Sequence, residues 1–123
     1  MNAKHILIVE DDLDGQEMIA TILEHLNYDV NTADDGEQAT QMIFKSEATY
    51  DAIIIDLALP GKDGWELLAD ILSDPSTSEI PCIAITAFHN SKLREQALRR
   101  GFIAYFPKPL DGTKLGRELE RLI

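Results

Sequence analysis

"ILIVEDDLDG" spans Ile6 to Gly15. Four apolar residues run directly into Glu10, Asp11 and Asp12, with Asp14 and Gly15 just beyond. Something must justify so many carboxylates at the end of a hydrophobic run. One reading is a calcium loop, because Glu10, Asp12, Asp14 and Gly15 fall at positions one, three, five and six of the EF-hand pattern. A second is a plain acidic turn. A third is a metal pocket at a strand end in an α/β protein. The rest of the chain has to choose between them.

Outward from this stretch, apolar runs alternate with amphipathic segments. Strand candidates are His5–Val9, Asp29–Ala33, Asp51–Ile55, Pro81–Ile85 and Ile103–Phe106. Helix candidates fill the gaps. In Gly15–Leu26, the residues Met18, Ile19, Ile22, Leu23 and Leu26 form one helical stripe. Gln38–Lys45, Gly64–Leu72 and Asn90–Arg100 follow, the last with a weak stripe of Leu93, Ala97 and Leu98. Leu115, Leu119 and Leu122 mark a final helix. Punctuation agrees: "DGQE" (Asp14–Glu17) and Asp63 with Glu66 read as capping boxes, Pro60-Gly61 as a turn, and Gly101 as a helix stop.

Five strands alternating with five helices predict a doubly wound parallel sheet covered on both faces, a (βα)5 flavodoxin-like α/β fold of order 2-1-3-4-5. One domain over residues 1–123 is expected, ending with its last helix. Ligands of such sheets bind beyond the carboxyl ends of the strands. There the sequence offers Glu10, Asp11 and Asp12 after the first strand, Asp56 after the third, Thr86 at the end of the fourth and Lys108 after the fifth.

Charge and composition narrow the chemistry. The chain is 45 % apolar and 27 % charged, with a net charge of −11, which argues against direct nucleic-acid binding. Residues 1–91 carry −15 and residues 92–123 carry +4; the basic third is a candidate partner surface. Cys82 is the sole cysteine, in the apolar run "IPCIAI", and reads as a buried inert thiol. The start "MNAKH" has no secretory core and no apolar stretch is long enough to span a bilayer, so a cytoplasmic protein without membrane contact is expected.

Carboxylates about 4 Å apart repel by roughly 4 kcal/mol at an effective dielectric near 20. Such a cluster takes up protons or binds a cation. Its hard oxygen donors favour Mg²⁺, which keeps open positions for a phosphoryl group. Lys108 and Thr86 supply a point charge and a hydroxyl for the remaining phosphoryl oxygens. Taken alone, Asp56 before "LALPG" reads as a turn residue, Thr86 as a strand residue, Lys108 as a solvated lysine and Tyr105 as a half-buried aromatic.

Together they resemble something specific. "ILIVEDD" (Ile6–Asp12), "DAIIIDLALPGKDGWELL" (Asp51–Leu68), "IPCIAITAF" (Ile80–Phe88) and "GFIAYFPKPL" (Gly101–Leu110) are similar, in order and end to end, to the motifs of response regulator receiver domains of two-component signalling. The resemblance implies Asp56 as phosphoacceptor, a Mg²⁺ held by Glu10, Asp11, Asp56 and the backbone carbonyl of Ala58, and Thr86 and Lys108 against the phosphoryl oxygens. It implies a phosphohistidine donor, either a histidine kinase or a phosphotransfer protein. Thr86 would then move toward the phosphoryl group and open space for Tyr105 to turn inward, changing the surface of the fourth helix, fifth strand and fifth helix for a downstream target protein. The Lys108–Pro109 bond is a candidate cis peptide. Gln16 stands where the family often has a basic residue, and Ala58 and Phe88 stand where polar side chains often guide water to the acyl phosphate.

Rivals fare worse. Position twelve of a calcium loop would be Thr21 instead of a glutamate. An FMN site needs a phosphate-cradling loop where four acids stand. A haloacid-dehalogenase-like phosphatase, the best enzyme alternative, needs an acid at Ala58. The expectation is a signalling phosphoacceptor, not a turnover enzyme. Asp14 is expected to cap the first helix, and Asp12 is left open between metal ligand and neighbour.

Overall fold

Runs such as Ile53-Ile54-Ile55 are apolar at every position, so both faces must be covered, and only a central strand between two helical layers does that. The computed structural model, which describes residues 3–59 and 61–123, has this arrangement. The strands are β1 (His5–Val9), β2 (Asp29–Ala33), β3 (Ala52–Asp56), β4 (Cys82–Thr86) and β5 (Ala104–Pro107). They alternate with α1 (Leu13–His25), α2 (Gly36–Phe44), α3 (Gly64–Ser73), α4 (Ser91–Arg100) and α5 (Gly112–Leu122). The sheet is parallel throughout, in the order β2-β1-β3-β4-β5. Among the described residues no helix is long and apolar enough to cross a membrane.

Side-chain alternation splits the core in two. Leu7, Val9, Ile53, Ile55, Ala84 and Tyr105 share one face with the apolar residues of α2, α3 and α4. Ile6, Ile8, Ile54, Ile83, Ile85 and Ala104 face α1 and α5, where Ile19, Leu23, Leu115 and Leu119 meet them. Cys82 is buried, and its surroundings push its thiol up to about 12, so it stays protonated.

Three expectations need correction. The last three strands run one residue further than hydropathy indicated, because Asp56, Thr86 and Pro107 continue the ladder while being polar or lacking an N–H. Helix α1 starts at Leu13 and not at Gly15, and its cap is Asp12, whose carboxylate accepts from the Gly15 N–H at 3.2 Å. Asp14 is therefore a first-turn residue and not the cap. Met18 and Leu26, assigned to the buried stripe of α1, are exposed, as is Leu72 in α3. The other caps hold: Asp63 accepts from the Glu66 N–H, and Gly101 ends α4 with φ +123°, a conformation glycine adopts without cost. The expected Pro60–Gly61 turn falls partly on Pro60, which, with Met1 and Asn2, lies outside the described residues; Gly61 has φ +65°.

Gly64 opens α3 directly beneath the end of β3. A methyl group there would lie 2.6 Å from the Asp56 carbonyl oxygen and 2.9 Å from Ile55 Cγ2. Backbone and a β-branched side chain cannot yield cheaply. Gly64→Ala should lower stability by about 1–3 kcal/mol, the usual cost of overpacking. Gly61→Ala has open space around it and should cost roughly 1–2 kcal/mol from its positive φ alone. Urea titration of both variants checks this, with a change in metal affinity expected for Gly64→Ala only; a Gly64→Ala midpoint equal to wild type would refute the close approach.

Candidate functional site

The parallel register brings the carboxyl ends of β1, β3, β4 and β5 to one edge. Glu10 follows β1 and is held there by its N–H, which donates to the Ala33 carbonyl at 3.1 Å. Asp56 ends β3; its Oδ1 accepts from the Ala58 N–H at 2.8 Å, which fixes the carboxylate toward the crevice. Lys108 follows β5, and its N–H donates to the Thr86 carbonyl at 2.8 Å. The Lys108–Pro109 peptide is cis.

From that position the Lys108 ammonium reaches across the sheet edge. It donates to Asp56 Oδ2 at 2.7 Å and to Glu10 Oε1. Carboxylate oxygens of Glu10, Asp11 and Asp56 all lie within 4.8 Å of one another. Glu10 is 0 % exposed and Asp56 only 4 %, whereas Asp11 faces solvent. The expected trio and Lys108 are thus brought together. Asp12 is not part of the trio; its carboxylate is committed to the α1 cap.

The electrostatics follow from burial and crowding. Burial comes first in pushing the Glu10 carboxyl up to about 7, and hydrogen bonding and charge from Asp56 add to it against the opposing pull of Lys108. Burial also works against Asp56, but the hydrogen bonds from Glu10, Lys108 and the Ala58 N–H win, and its pKa is lowered. Lys108 loses some charge stability to burial and regains more from Asp56 and Glu10, so its pKa is raised. The two buried carboxyls are pushed apart: Asp56 holds the charge and Glu10 tends to hold the proton.

Among the described residues one buried side-chain oxygen is unsatisfied. Glu10 Oε2 is buried with no hydrogen-bond partner, and an orphaned carboxylate oxygen is costly. Glu10 belongs to the carboxylate group with Asp11 and Asp56, and this all-oxygen set suits a hard divalent ion. The acidic group therefore fits a metal ion on the chemistry of its donors.

Thr86 is 1 % exposed. Its Oγ1 accepts from the Phe88 N–H at 3.0 Å, which leaves its own proton to donate. Tyr105 lies on the same sheet face, opposite Ala84. Tyr105 is only 8 % exposed, so its ring lies inside in this structure. Its hydroxyl lies 3.1 Å from His89 Nδ1.

Sequence reasoning missed two residues. Gln16 was noted only as a missing positive charge. Its amide Nε2 donates to the Glu10 carbonyl at 3.0 Å and to Asp34 Oδ1 at 3.0 Å, with the Ala33 carbonyl at 3.4 Å, tying β1, β2 and α1 together. His89 is the second, since its contact with the Tyr105 hydroxyl comes from a separate element. The signal that could have found it is the adjacency of β4 and β5, which sets the segment after Thr86 beside the residues before Lys108.

Comparison with known proteins agrees with this geometry. The family model for the response regulator receiver domain matches residues 6–120. The phosphate regulon transcriptional regulatory protein PhoB of Pseudomonas aeruginosa is 34 % identical over the whole chain, which spans about half (53 %) of PhoB's length. Among solved structures, the receiver domain of the sensor histidine kinase PA1611 from P. aeruginosa, with a magnesium ion coordinated in its active-site cleft, superposes with a TM-score of 0.87 at 34 % identity, covering 98 % of each chain. The Francisella response regulator 1452 receiver domain gives 0.84 at 28 % identity, covering 97 % of this chain and 95 % of its own.

The Glu10 shift has a measurable consequence. Its folded value lies above the ordinary glutamate value of 4.5, so the folded chain binds the extra proton between the two. Stability from this group is full below about 4.5 and is lost as pH rises through 7. Asp56 acts oppositely, contributing above the ordinary aspartate value of 3.8 and losing that contribution as pH falls through its lowered folded value. Glu10→Gln should therefore stabilise the metal-free protein at pH 8 by about 1–3 kcal/mol, with little gain at pH 5. Urea midpoints at the two pH values check this; an equal gain at both would refute the shift.

Proposed function

The chain belongs to the response regulator receiver domain family, and from that premise we propose that it is a phosphoacceptor in two-component signalling, with Asp56 as the acceptor. The observation that carries the reading is the Glu10–Asp11–Asp56 trio with Lys108 bridging two of its members. Glu10, Asp11, Asp56 and the Ala58 carbonyl would hold a Mg²⁺, which supplies positive charge for the oxygens of the transferring phosphoryl group.

The chain's own groups do the rest. An Asp56 oxygen forms the new P–O bond as the P–N bond to the donor imidazole breaks. The electron pair stays on the imidazole nitrogen, which takes up a proton. Lys108 turns its ammonium from Asp56 Oδ2 toward a phosphoryl oxygen, where the added negative charge holds it. The Thr86 hydroxyl donates to another oxygen. A histidine kinase or phosphotransfer protein fits as donor: exposed Met18 and the Pro109–Leu110 segment form an apolar margin beside Glu10 and Lys108, where a donor helix can lie. The output surface is α4, β5 and α5. Helix α4 carries Lys92, Arg94, Arg99 and Arg100 against one acid, Glu95, and a downstream protein is recognised there. The reading places the chain in the cytoplasm and assigns it no direct nucleic-acid contact. A haloacid-dehalogenase-like activity is disfavoured, because Ala58 supplies no general acid.

Two measurements test this. Intact-mass analysis with Mg²⁺ and acetyl phosphate should show one added phosphate on the wild type and none on Asp56→Asn; equal gains would reject Asp56. The acyl phosphate should also be long-lived. Ala58 is a methyl group and Phe88 is 70 % exposed, so neither orients a water. A phosphorylated lifetime of minutes, shortened several-fold by Ala58→Asn, is expected; a lifetime of seconds that the substitution leaves unchanged would refute the account.

A further inference from the structure

The connection from β4 to α4 packs three tasks into five residues. Thr86 offers its hydroxyl at the site and accepts from the Phe88 N–H. Asn90 caps α4, its side chain accepting from the Leu93 N–H at 2.8 Å. Between them the exposed His89 meets the Tyr105 hydroxyl at 3.1 Å through Nδ1, with the two rings 5.5 Å apart and tilted by 49°. Across the ladder Tyr105 faces Ala84, whose methyl leaves room for the ring. A tyrosine ring this deep keeps only its hydroxyl near the rim, and that hydroxyl needs a partner. His89 supplies the side-chain partner from a different element, next to the Asn90 backbone, which also hydrogen-bonds the hydroxyl.

We propose that His89 is a positioning residue that holds Tyr105 in its buried rotamer before any phosphoryl group is present, tying β5 to the β4–α4 connection. The contact needs no particular ring charge. Neutral imidazole accepts at Nδ1 from the hydroxyl, and its other tautomer donates to the hydroxyl oxygen. What the latch regulates rests on the reading of Thr86 and Tyr105 as a switch pair; that the latch exists does not. With the ring already inside, phosphorylation has less to change at Tyr105 itself. The response is carried instead by the connection and the start of α4, which His89 couples to the ring. Losing one such hydrogen bond shifts a two-rotamer equilibrium by roughly 2- to 10-fold.

The test uses 3-fluorotyrosine labelling, which gives one ¹⁹F resonance for each of Tyr28, Tyr50 and Tyr105; Tyr105→Phe assigns the third. In the unphosphorylated wild type, the Tyr105 resonance should show the small H₂O/D₂O isotope shift of a buried ring. In His89→Ala it should move toward the unfolded-chain position, with a larger isotope shift. His89→Asn, which returns a polar atom near the place of Nδ1, should recover at least half of the change. An unmoved Tyr105 resonance in His89→Ala, or identical behaviour of the Ala and Asn variants, would overturn the proposal. Intact-mass analysis on the same samples keeps the two questions apart. A failure to gain phosphate in every variant would reject the phosphoacceptor reading, while the latch, read wholly without phosphate, would stand or fall on the fluorine spectra.

Discussion

The carboxyl edge of the sheet depends on where one ammonium goes. Glu10 and Asp56 are buried side by side, and without a counter-charge one of them would have to be neutral or the edge would open to water. Lys108 follows β5, three strands along the sheet from β1, yet reaches both carboxylates. Only the order β2-β1-β3-β4-β5 allows this, since it sets β3 between β1 and β4 and leaves a crevice over their ends. Removing the Lys108 ammonium, the cation that both carboxylates share, would cost about 3–5 kcal/mol, because buried negative charge is left uncompensated. The arrangement is also incomplete in a useful way. Lys108 and the proton that Glu10 tends to hold offset only part of the acidic charge, and Glu10 Oε2 finds no hydrogen-bond partner among the described residues. The site is stable enough to fold and poorly enough satisfied to want a cation.

Backbone constraints then hold the acids at that spacing. Gly64 lets α3 start against the Asp56 carbonyl, and Gly36 lets α2 pass the Lys62 carbonyl, which a methyl group would meet at 2.3 Å. Lys62 in turn pairs with Asp70 and donates to Thr40 Oγ1 at 2.9 Å, so the connection after Asp56 is tethered to α2 and α3. Gln16 does the same for the connection after β1. A neutral amide there holds the backbone without adding positive charge beside Glu10, so the acids keep their full field for a cation.

Which parts of this were legible in the sequence follows from the range of the forces involved. The strands announce themselves because a two-sided strand must be apolar at every position, as in Ile53–Ile55; that fixed the alternation and, with it, the sheet order and the meeting of Glu10, Asp11, Asp56 and Lys108. Strand ends were read one residue short because Asp56 and Thr86 are polar yet hydrogen-bonded in the ladder. The cap of α1 was misassigned because Asp12 and Asp14 are equally good chemically, and only the exit direction of β1 decides between them. Met18 was read as core because periodicity gives a stripe its angle but not its width, and the stripe of α1 is narrower than five residues. The adjacency of β4 and β5 points to the neighbourhood of His89 and Tyr105, but that contact and Gln16–Asp34 each join separate elements through side-chain rotamers that no local pattern encodes.

The same contacts determine how a charge event at Asp56 can travel. Thr86 and Tyr105 share a sheet face but not a cross-strand pair: Thr86 lies opposite Pro107, and Tyr105 opposite Ala84. A shift of the Thr86 hydroxyl toward Asp56 therefore does not push on the tyrosine ring through the ladder. It acts first on the Phe88 N–H that the hydroxyl accepts from, and so on the segment leading to His89 and the Asn90 cap. Helix α4 is the natural place for that movement to surface. Of its apolar residues only Ala97 is fully buried, so little packing opposes a small displacement. On the proposed reading, the four cations of α4 would then move relative to the acidic surface of a partner. A side chain that binds ring and connection together makes these two motions one, which is what a two-state response requires of its parts.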